Sequence, residues 1–187
     1  GDLGDIAQVV ESVAMGALDF PAPTSIGFLG HSRGGGLGVL AAAAESRIGA
    51  LVTWAAISDV SRHSPEEVAA WRARGQLDVV NSRTGQVLPI LTDVLDDVIR
   101  HGSTLLDIRA AAARLDIPWL VVHGDSDVTV PVAEARALHA AGGASADLMV
   151  VPDAGHTFET VHPWNGPTPA FDAVTSASVA WFGRHLR

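Results

Sequence analysis

A chain of 187 residues, of which 48% are apolar, is long enough to bury the core of a single domain. Its formal charge of -9 is distributed along the sequence, which argues against binding to nucleic acid or to an anionic membrane. The sequence has no cysteine and no lysine, which excludes disulfides, thiolate nucleophiles and lysine-based catalysis. Serine, histidine and the acidic residues remain as candidates for chemistry.

Apolar spacing predicts a helix followed by a strand that turns sharply into a second helix. Residues Asp5–Leu18 place apolar side chains on one helical stripe, and two prolines close the segment. The apolar run Ser25–Leu29 predicts a strand, and the small residues that follow as far as Ala44 predict a buried helix. No run approaches the roughly 20 apolar residues that span a bilayer, and the acidic start does not resemble a signal peptide. We therefore expect a cytoplasmic protein.

Three further apolar runs of strand length predict a sheet that is covered on both faces. They show no polar alternation, as is typical of a parallel sheet between layers of helices. The fold class is therefore α/β. The predicted strands are Ala50–Ile57, Pro118–His123 and Leu148–Val151, and the predicted helices are Leu105–Leu115, Val132–Ala141 and Thr175–Leu186.

The segment of residues 59–104 is more polar than its surroundings. Two helix-like pieces, Pro65–Ala73 and Leu88–Arg100, flank a turn at Asn81–Gly85. We interpret this segment as a helical excursion above the sheet, within one domain that spans residues 1–187.

A G-x-S-x-G pattern at residues 30–34 marks the first candidate for chemistry. It matches the nucleophile elbow, in which a serine lies on a strained turn between a strand and a helix. A bare match in a glycine-rich chain is explained equally well by a flexible turn. Because a predicted strand precedes the pattern and a predicted helix follows it, we favour Ser32 as a nucleophile.

Two aspartates, Asp125 and Asp127, follow the predicted strand that ends at His123. Open α/β sheets place their sites at the carboxyl ends of strands. Either carboxylate could orient a histidine, and either could simply close the turn by bonding its own backbone. The residues alone leave both aspartates open as the acid.

The last predicted strand is followed by a loop, Pro152–Phe158, that contains His156 beside a glycine. A single histidine on a loop is more often a surface residue. Here it comes after a candidate nucleophile and a candidate acid, and therefore completes the Ser, Asp and His set of a serine hydrolase. We interpret His156 as the base.

These three motifs resemble those of the α/β-hydrolase superfamily: GHSRGG its elbow, HGDSDVTVP its acid loop and AGHTF its histidine loop. The order Ser, Asp, His is also the order of that superfamily. The branches that resemble dienelactone hydrolases and prolyl oligopeptidases are the most similar. The resemblance implies a mostly parallel sheet flanked by helices, with Ser32 as nucleophile, Asp127 as acid and His156 as base. Dienelactone hydrolases themselves use a cysteine nucleophile, which this sequence lacks.

The same resemblance implies several strands before the elbow, whereas only 24 residues precede the predicted elbow strand. We therefore expect a truncated or cleaved C-terminal part of the fold, whose elbow strand is an unpaired edge. The backbone N–H of Arg33 is implied as one oxyanion donor, and the second donor would lie in the absent segment. An N-terminal companion segment or a homodimer would complete the sheet.

Together the motifs predict a serine hydrolase that cleaves a small carboxylic ester through an acyl-enzyme and needs no cofactor or metal. A serine peptidase of the same fold, or a non-catalytic binding or assembly fragment, is the alternative. Three aromatic residues, Trp54, Phe158 and Trp164, are candidates for lining the substrate pocket, although core packing is the commoner use of a residue such as Trp54. His31, next to the nucleophile, is interpreted as a packing or turn residue, and the other histidines lack metal-binding spacing.

Overall fold

The computed structural model describes residues 2–81 and 84–186, which form two compact units. The main unit comprises Gly1–Ser58 and Ile108–Arg187, and the inserted unit comprises Asp59–Asp107. None of the helices in the described ranges is long and apolar enough to cross a membrane. Ser82 and Arg83, which belong to a turn predicted from the sequence, lie outside the described residues.

Seven α-helices and six strands are found in the described ranges. In chain order they are α1 (Asp2–Ala14), β1 (Ile26–His31), α2 (Arg33–Ala44), β2 (Ile48–Trp54), α3 (Pro65–Arg74), β3 (Gln76–Val80), β4 (Val87–Leu91), α4 (Thr92–His101), α5 (Ile108–Ala112), β5 (Trp119–Gly124), α6 (Val132–Gly142), β6 (Ala146–Val151) and α7 (Pro169–His185).

The main unit contains a parallel sheet with the strand order β1-β2-β5-β6. All six residues of β5 are buried, because a central strand of such a sheet is covered by its neighbours and by helices on both faces. Helix α2 packs on β1 and β2, α6 packs on β5 and β6, and α7 packs on β2 and β5. The predicted α/β class, with a parallel sheet flanked by helices, is confirmed.

Several boundaries in the main unit differ from the predicted ones: α1 ends at Ala14, α5 covers only Ile108–Ala112, and β6 begins at Ala146. Two further differences have identifiable reasons. The strand predicted over Ala50–Ile57 ends at Trp54, because Ala55 adopts a left-handed φ of 47° that a strand cannot contain. Helix α7 begins at Pro169, well before the predicted start, because Thr168 caps its amino end and a proline at the first position suits a helix start.

Strand β1 lies at one edge of the sheet, and within the described residues it pairs with β2 alone. Leu29 on this strand is 43% exposed. An edge of this kind presents unpaired N–H and C=O groups that can accept another strand. Within the described residues, the elbow strand is therefore an edge of the sheet.

The inserted unit corrects the prediction of a purely helical excursion. Strands β3 and β4 pair antiparallel as a hairpin, so the predicted helix Leu88–Arg100 begins as a strand and becomes helical only at Thr92. Residues Val87–Leu91 pair with Gln76–Val80 instead, and an edge strand of this kind tolerates Pro89. The indole N–H of Trp71 on α3 donates to the carbonyl of Ile90 at 3.0 Å and ties this helix to the hairpin.

A buried hydrogen bond joins two strands in the core of the main unit. The indole N–H of Trp119 on β5 donates to the hydroxyl of Thr53 on β2 at 3.0 Å, and both side chains are fully buried. If the acceptor is removed, the buried N–H is left without a hydrogen bond, and its full desolvation penalty lowers the stability of the fold.

The substitution Thr53→Val tests this bond, because it keeps the shape of the side chain and removes the acceptor. We expect the free energy of unfolding, measured by urea denaturation, to fall by about 1–3 kcal/mol. In a Trp119→Phe background, which has no donor, the same substitution should cost clearly less. Equal costs in the two backgrounds would contradict the bond.

Candidate active site

Three polar side chains meet at the carboxyl edge of the parallel sheet. Ser32 directly follows β1, Asp127 lies in the loop after β5, and His156 lies in the loop after β6. The Nε2 atom of His156 is 3.0 Å from the hydroxyl oxygen of Ser32, and its Nδ1 atom is 2.7 Å from Oδ2 of Asp127. The three residues proposed from the sequence as nucleophile, acid and base therefore form one continuous hydrogen-bonded chain.

The backbone of Ser32 is held in a strained conformation. Its φ of 56° and ψ of -124° lie outside the regions that residues other than glycine usually adopt. Its N–H donates to the carbonyl of Trp54 at 2.8 Å, and its carbonyl accepts from the N–H groups of Gly35 and Ile57. Serine is a favoured helix cap, yet this hydroxyl makes no capping bond to α2 and is directed to His156 instead.

Close backbone approach around Ser32 requires glycine at two positions. A Cβ atom on Gly30 would overlap the carbonyl of Gly34, and one on Gly35 would lie only 2.5 Å from the Cβ of Ala56. A Cβ atom on Gly34 would meet no described heavy atom within 4 Å. The tight packing of this turn therefore depends on the first glycine of the G-x-S-x-G pattern and on the glycine after it.

Arg33, implied as an oxyanion donor, is the first residue of α2. An N–H at this position has no acceptor within its own helix, and it lies at the positive end of the helix dipole. The guanidinium of Arg33 is bound elsewhere, at 2.5 Å from a carboxylate oxygen of Asp2 on the exposed surface. The backbone N–H is thus the part of Arg33 suited to a developing negative charge next to Ser32.

The carboxylate of Asp127 is buried and fully engaged. Its Oδ1 accepts the backbone N–H groups of Thr129 at 2.8 Å and Val130 at 2.9 Å, while Oδ2 faces the ring of His156. Burial by itself raises the pKa of Asp127, but the hydrogen bonds from Val130, His156 and Thr129 outweigh it and hold the pKa below its ordinary value. Asp127 is therefore a stable anion in the folded protein.

Asp125, the other aspartate considered from the sequence, has a different set of contacts. Its Oδ1 accepts the backbone N–H of Asp153 at 2.8 Å, in the loop that carries His156. The next N–H along the chain, that of Ser126, donates to the carbonyl of Ala154 at 3.0 Å. Of the two aspartates, Asp127 reaches the ring of His156, whereas Asp125 joins the acid loop to the histidine loop.

The loop that carries His156 contains three residues other than glycine with positive φ: 55° at Asp153, 53° at Phe158 and 59° at Glu159. Such conformations persist only where their surroundings enforce them. Here Oε1 of Glu159 accepts the N–H of Gly155 at 2.6 Å, and the hydroxyl of Thr168 donates to the carbonyl of Phe158 at 2.6 Å. Side-chain contacts therefore fix the backbone on both sides of His156.

No sequence motif predicts these supporting contacts. Glu159, Thr168 and His31 are ordinary polar residues in the sequence, and no motif pairs them with the loop. His31 contacts a residue 125 positions away, a distance that no local pattern reports.

The three aromatic residues considered for a substrate pocket have different environments. Phe158 is 1% exposed and belongs to the hydrophobic core beneath α7. Trp54 packs against the same core, and its N–H donates to the hydroxyl of Ser178 at 3.0 Å. Trp164 is 58% exposed and contacts the ring of Phe171, and it is the most exposed of the three.

In the described part of the chain, no group of three or more histidine and acidic side chains could hold a metal ion.

Solved structures with a similar fold include those of hydrolases. The esterase domain of a Rhodothermus marinus protein matches with a TM-score of 0.65 at 17% identity, over 99% of this chain and 70% of that one. Est1E from Butyrivibrio proteoclasticus matches with a TM-score of 0.63 at 20% identity, over 97% and 69%. A puromycin-hydrolyzing peptidase of Mycobacterium tuberculosis matches with a TM-score of 0.64 at 18% identity, over 99% and 25%. The main unit thus has the α/β-hydrolase fold.

The sequence identifies the family. The family model of the prolyl oligopeptidase family matches residues 1–186, and the chain belongs to this family. The fold and the family are those of serine hydrolases. The similar structures include an esterase domain and a peptidase.

The lowered pKa of Asp127 predicts how stability depends on pH. A carboxylate with a lowered pKa in the folded state stabilises that state above its unfolded pKa, and this contribution is lost as the pH falls through the folded value. The free energy of unfolding of the wild type should exceed that of Asp127→Asn at neutral pH, and the difference should shrink only below 3.8, the ordinary pKa. Urea denaturation between pH 7 and pH 3 measures it. A difference that stays constant over this range would contradict the prediction.

Proposed function

We propose that the protein hydrolyses small carboxylic esters through an acyl-enzyme, with Ser32 as nucleophile, His156 as general base and Asp127 as the orienting acid. The observation that carries this proposal is the unbroken chain of hydrogen bonds from Ser32 through His156 to the buried Asp127. A nucleophile next to a base that a third group orients is the arrangement that acyl transfer requires.

The first half of the reaction acylates Ser32. The unprotonated Nε2 of His156 removes the hydroxyl proton as the oxygen attacks the ester carbonyl, and the oxyanion that forms is stabilised by the backbone N–H of Arg33. His156 then passes its proton to the leaving alcohol, and the C–O bond of the ester breaks. Ser32 is left as an acyl ester.

The second half repeats these proton transfers with water. His156 takes a proton from the attacking water molecule and returns it to Ser32 when the acyl group leaves as a carboxylic acid. Throughout, Asp127 accepts the Nδ1–H of His156, which keeps the lone pair of Nε2 directed at Ser32 and stabilises the imidazolium. The low pKa of Asp127 suits this role, because the acid must remain an anion.

Ester hydrolysis is preferred over peptide hydrolysis on two grounds. One similar structure is that of an esterase domain. The segment inserted between β2 and α5 is also short, and we take a short insertion to favour small substrates.

Peptide hydrolysis is the second candidate, because the family is that of prolyl oligopeptidases and one similar structure is a peptidase. Turnover of p-nitrophenyl esters with short acyl chains, compared with that of aminoacyl p-nitroanilides, separates the two. A higher kcat/KM for the esters supports the proposal, and a higher value for the anilides replaces it with the second candidate.

A fluorophosphonate probe tests the nucleophile directly. We expect rapid labelling at Ser32, located by mass spectrometry, and loss of labelling in Ser32→Ala and His156→Ala, because one lacks the attacking oxygen and the other lacks its base. Ser126→Ala is the matched control, since this serine lies in the neighbouring loop and bonds only to Asp125 and Ala154 in the described contacts. Absence of labelling in a chain that circular dichroism shows to be folded would contradict the proposal.

The two aspartates provide a test of the acid. Asp127→Asn should slow the labelling of Ser32 by roughly 10⁴-fold, because an amide leaves the histidine in the wrong tautomer. Asp125→Asn removes the same charge two residues away and should slow labelling by no more than about tenfold, as expected for the loss of one loop hydrogen bond. The reverse ranking would assign the acid role to Asp125.

A further inference from the structure

We infer that His31 is a positioning residue that holds the base, His156, at the correct distance from Ser32. The ring of His31 approaches the base through two contacts. Its Nε2 atom is 2.9 Å from the backbone carbonyl oxygen of His156, and the two rings are 4.7 Å apart with an angle of 48° between their planes. A carbonyl oxygen only accepts hydrogen bonds, so the proton of this bond is carried on Nε2 of His31.

The contact between His31 and His156 links the base to the nucleophile, because His31 is next to Ser32 in the chain. His31 is the last residue of β1 and directly precedes Ser32. It pairs with Trp54 on β2, whose carbonyl also accepts the N–H of Ser32. The nucleophile and the ring that holds the base are therefore fixed on the same short piece of backbone.

Other contacts hold the histidine loop in different directions. Glu159 binds the N–H of Gly155 within the loop itself, and Asp125 binds the N–H of Asp153 from the acid loop. His31 differs from both because it links the histidine loop to the nucleophile strand, through the carbonyl of the base residue. Its loss should loosen the contact between Ser32 and His156 while the bond between His156 and Asp127 persists.

A role of this kind has a specific kinetic signature. Proton transfer requires the hydroxyl of Ser32 within hydrogen-bond reach of His156, and a small displacement of a reacting group slows chemistry strongly. Binding of a small probe does not depend on that distance. Loss of the contact should therefore reduce the rate of the chemical step and leave binding unchanged.

The experiment uses the full chain, the fluorophosphonate probe and two substitutions of the same residue. His31→Phe keeps a ring but has no donor, whereas His31→Gln places an N–H donor at a similar reach. We expect the maximal labelling rate of Ser32 to fall roughly tenfold in His31→Phe with the probe's half-saturation concentration unchanged, and to remain within about threefold of wild type in His31→Gln. His139→Phe, on α6, is the matched control and should label as wild type does.

Thermal unfolding of each variant separates positioning from folding. A purely structural role would lower the melting temperature and the folded fraction without changing the labelling rate of the folded protein. Equal rates in His31→Phe and wild type, or equally slow rates in His31→Phe and His31→Gln, would overturn the inference.

The inference rests on the proposed function, and a second measurement distinguishes the failure of one from the failure of the other. Labelling that fails in the wild type counts against the proposed function. The positioning role is then judged from the ¹⁵N shift of the His156 Nε2 atom, which Ser32→Ala should change because a hydrogen bond is lost. That change should be smaller in a His31→Phe background than in wild type or His31→Gln, and equal changes in all three would overturn the inference.

Discussion

Parallel pairing of the sheet is the constraint on which the rest of the site depends. Because β1, β5 and β6 run in the same direction, their carboxyl ends lie at one edge, and the loops that follow them meet there. Residues separated by more than a hundred positions in sequence thus come within hydrogen-bond distance, as Ser32 and His156 do. The buried β5 gives this edge a rigid base, since all six of its residues are enclosed.

Two features of this edge are unfavourable by themselves, and specific contacts stabilise each of them. Burial of the Asp127 carboxylate would by itself favour its neutral form, and three hydrogen bonds reverse that preference. Left-handed backbone at Ser32 and in the histidine loop is intrinsically unfavourable, and it is enforced by bonds to Trp54, Asp125, Glu159 and Thr168. A site whose unfavourable conformations are enforced in this way is preorganised for one geometry. The proposed acyl transfer by Ser32 requires such preorganisation.

Much of the fold could be predicted because its signals are local. Continuous apolar runs gave the strands of the parallel sheet, and small residues after Ser32 gave the buried α2. The β3-β4 hairpin was missed because a run such as Val87–Leu91 fits a strand or a helix equally well by apolar content, and its pairing with Gln76–Val80 cannot be read from the run itself. The burial of Phe158 was not predicted, because an aromatic side chain next to the histidine loop can as readily turn into the core as line a pocket.

The sequence by itself determined the chemical groups of the site and the order in which the chain presents them. The residues alone left Asp125 and Asp127 open as the acid, because they lie two residues apart after the same strand. The resemblance to α/β-hydrolases implied Asp127, and the direction of each carboxylate separates the two in the structure. The sequence also indicated only a packing or turn role for His31, because the partner of its ring is distant in the chain. Only the tertiary structure decided these points, because hydrogen bonds depend on distances across loops, and those distances are set by the packing of strands rather than by any residue's neighbours in sequence.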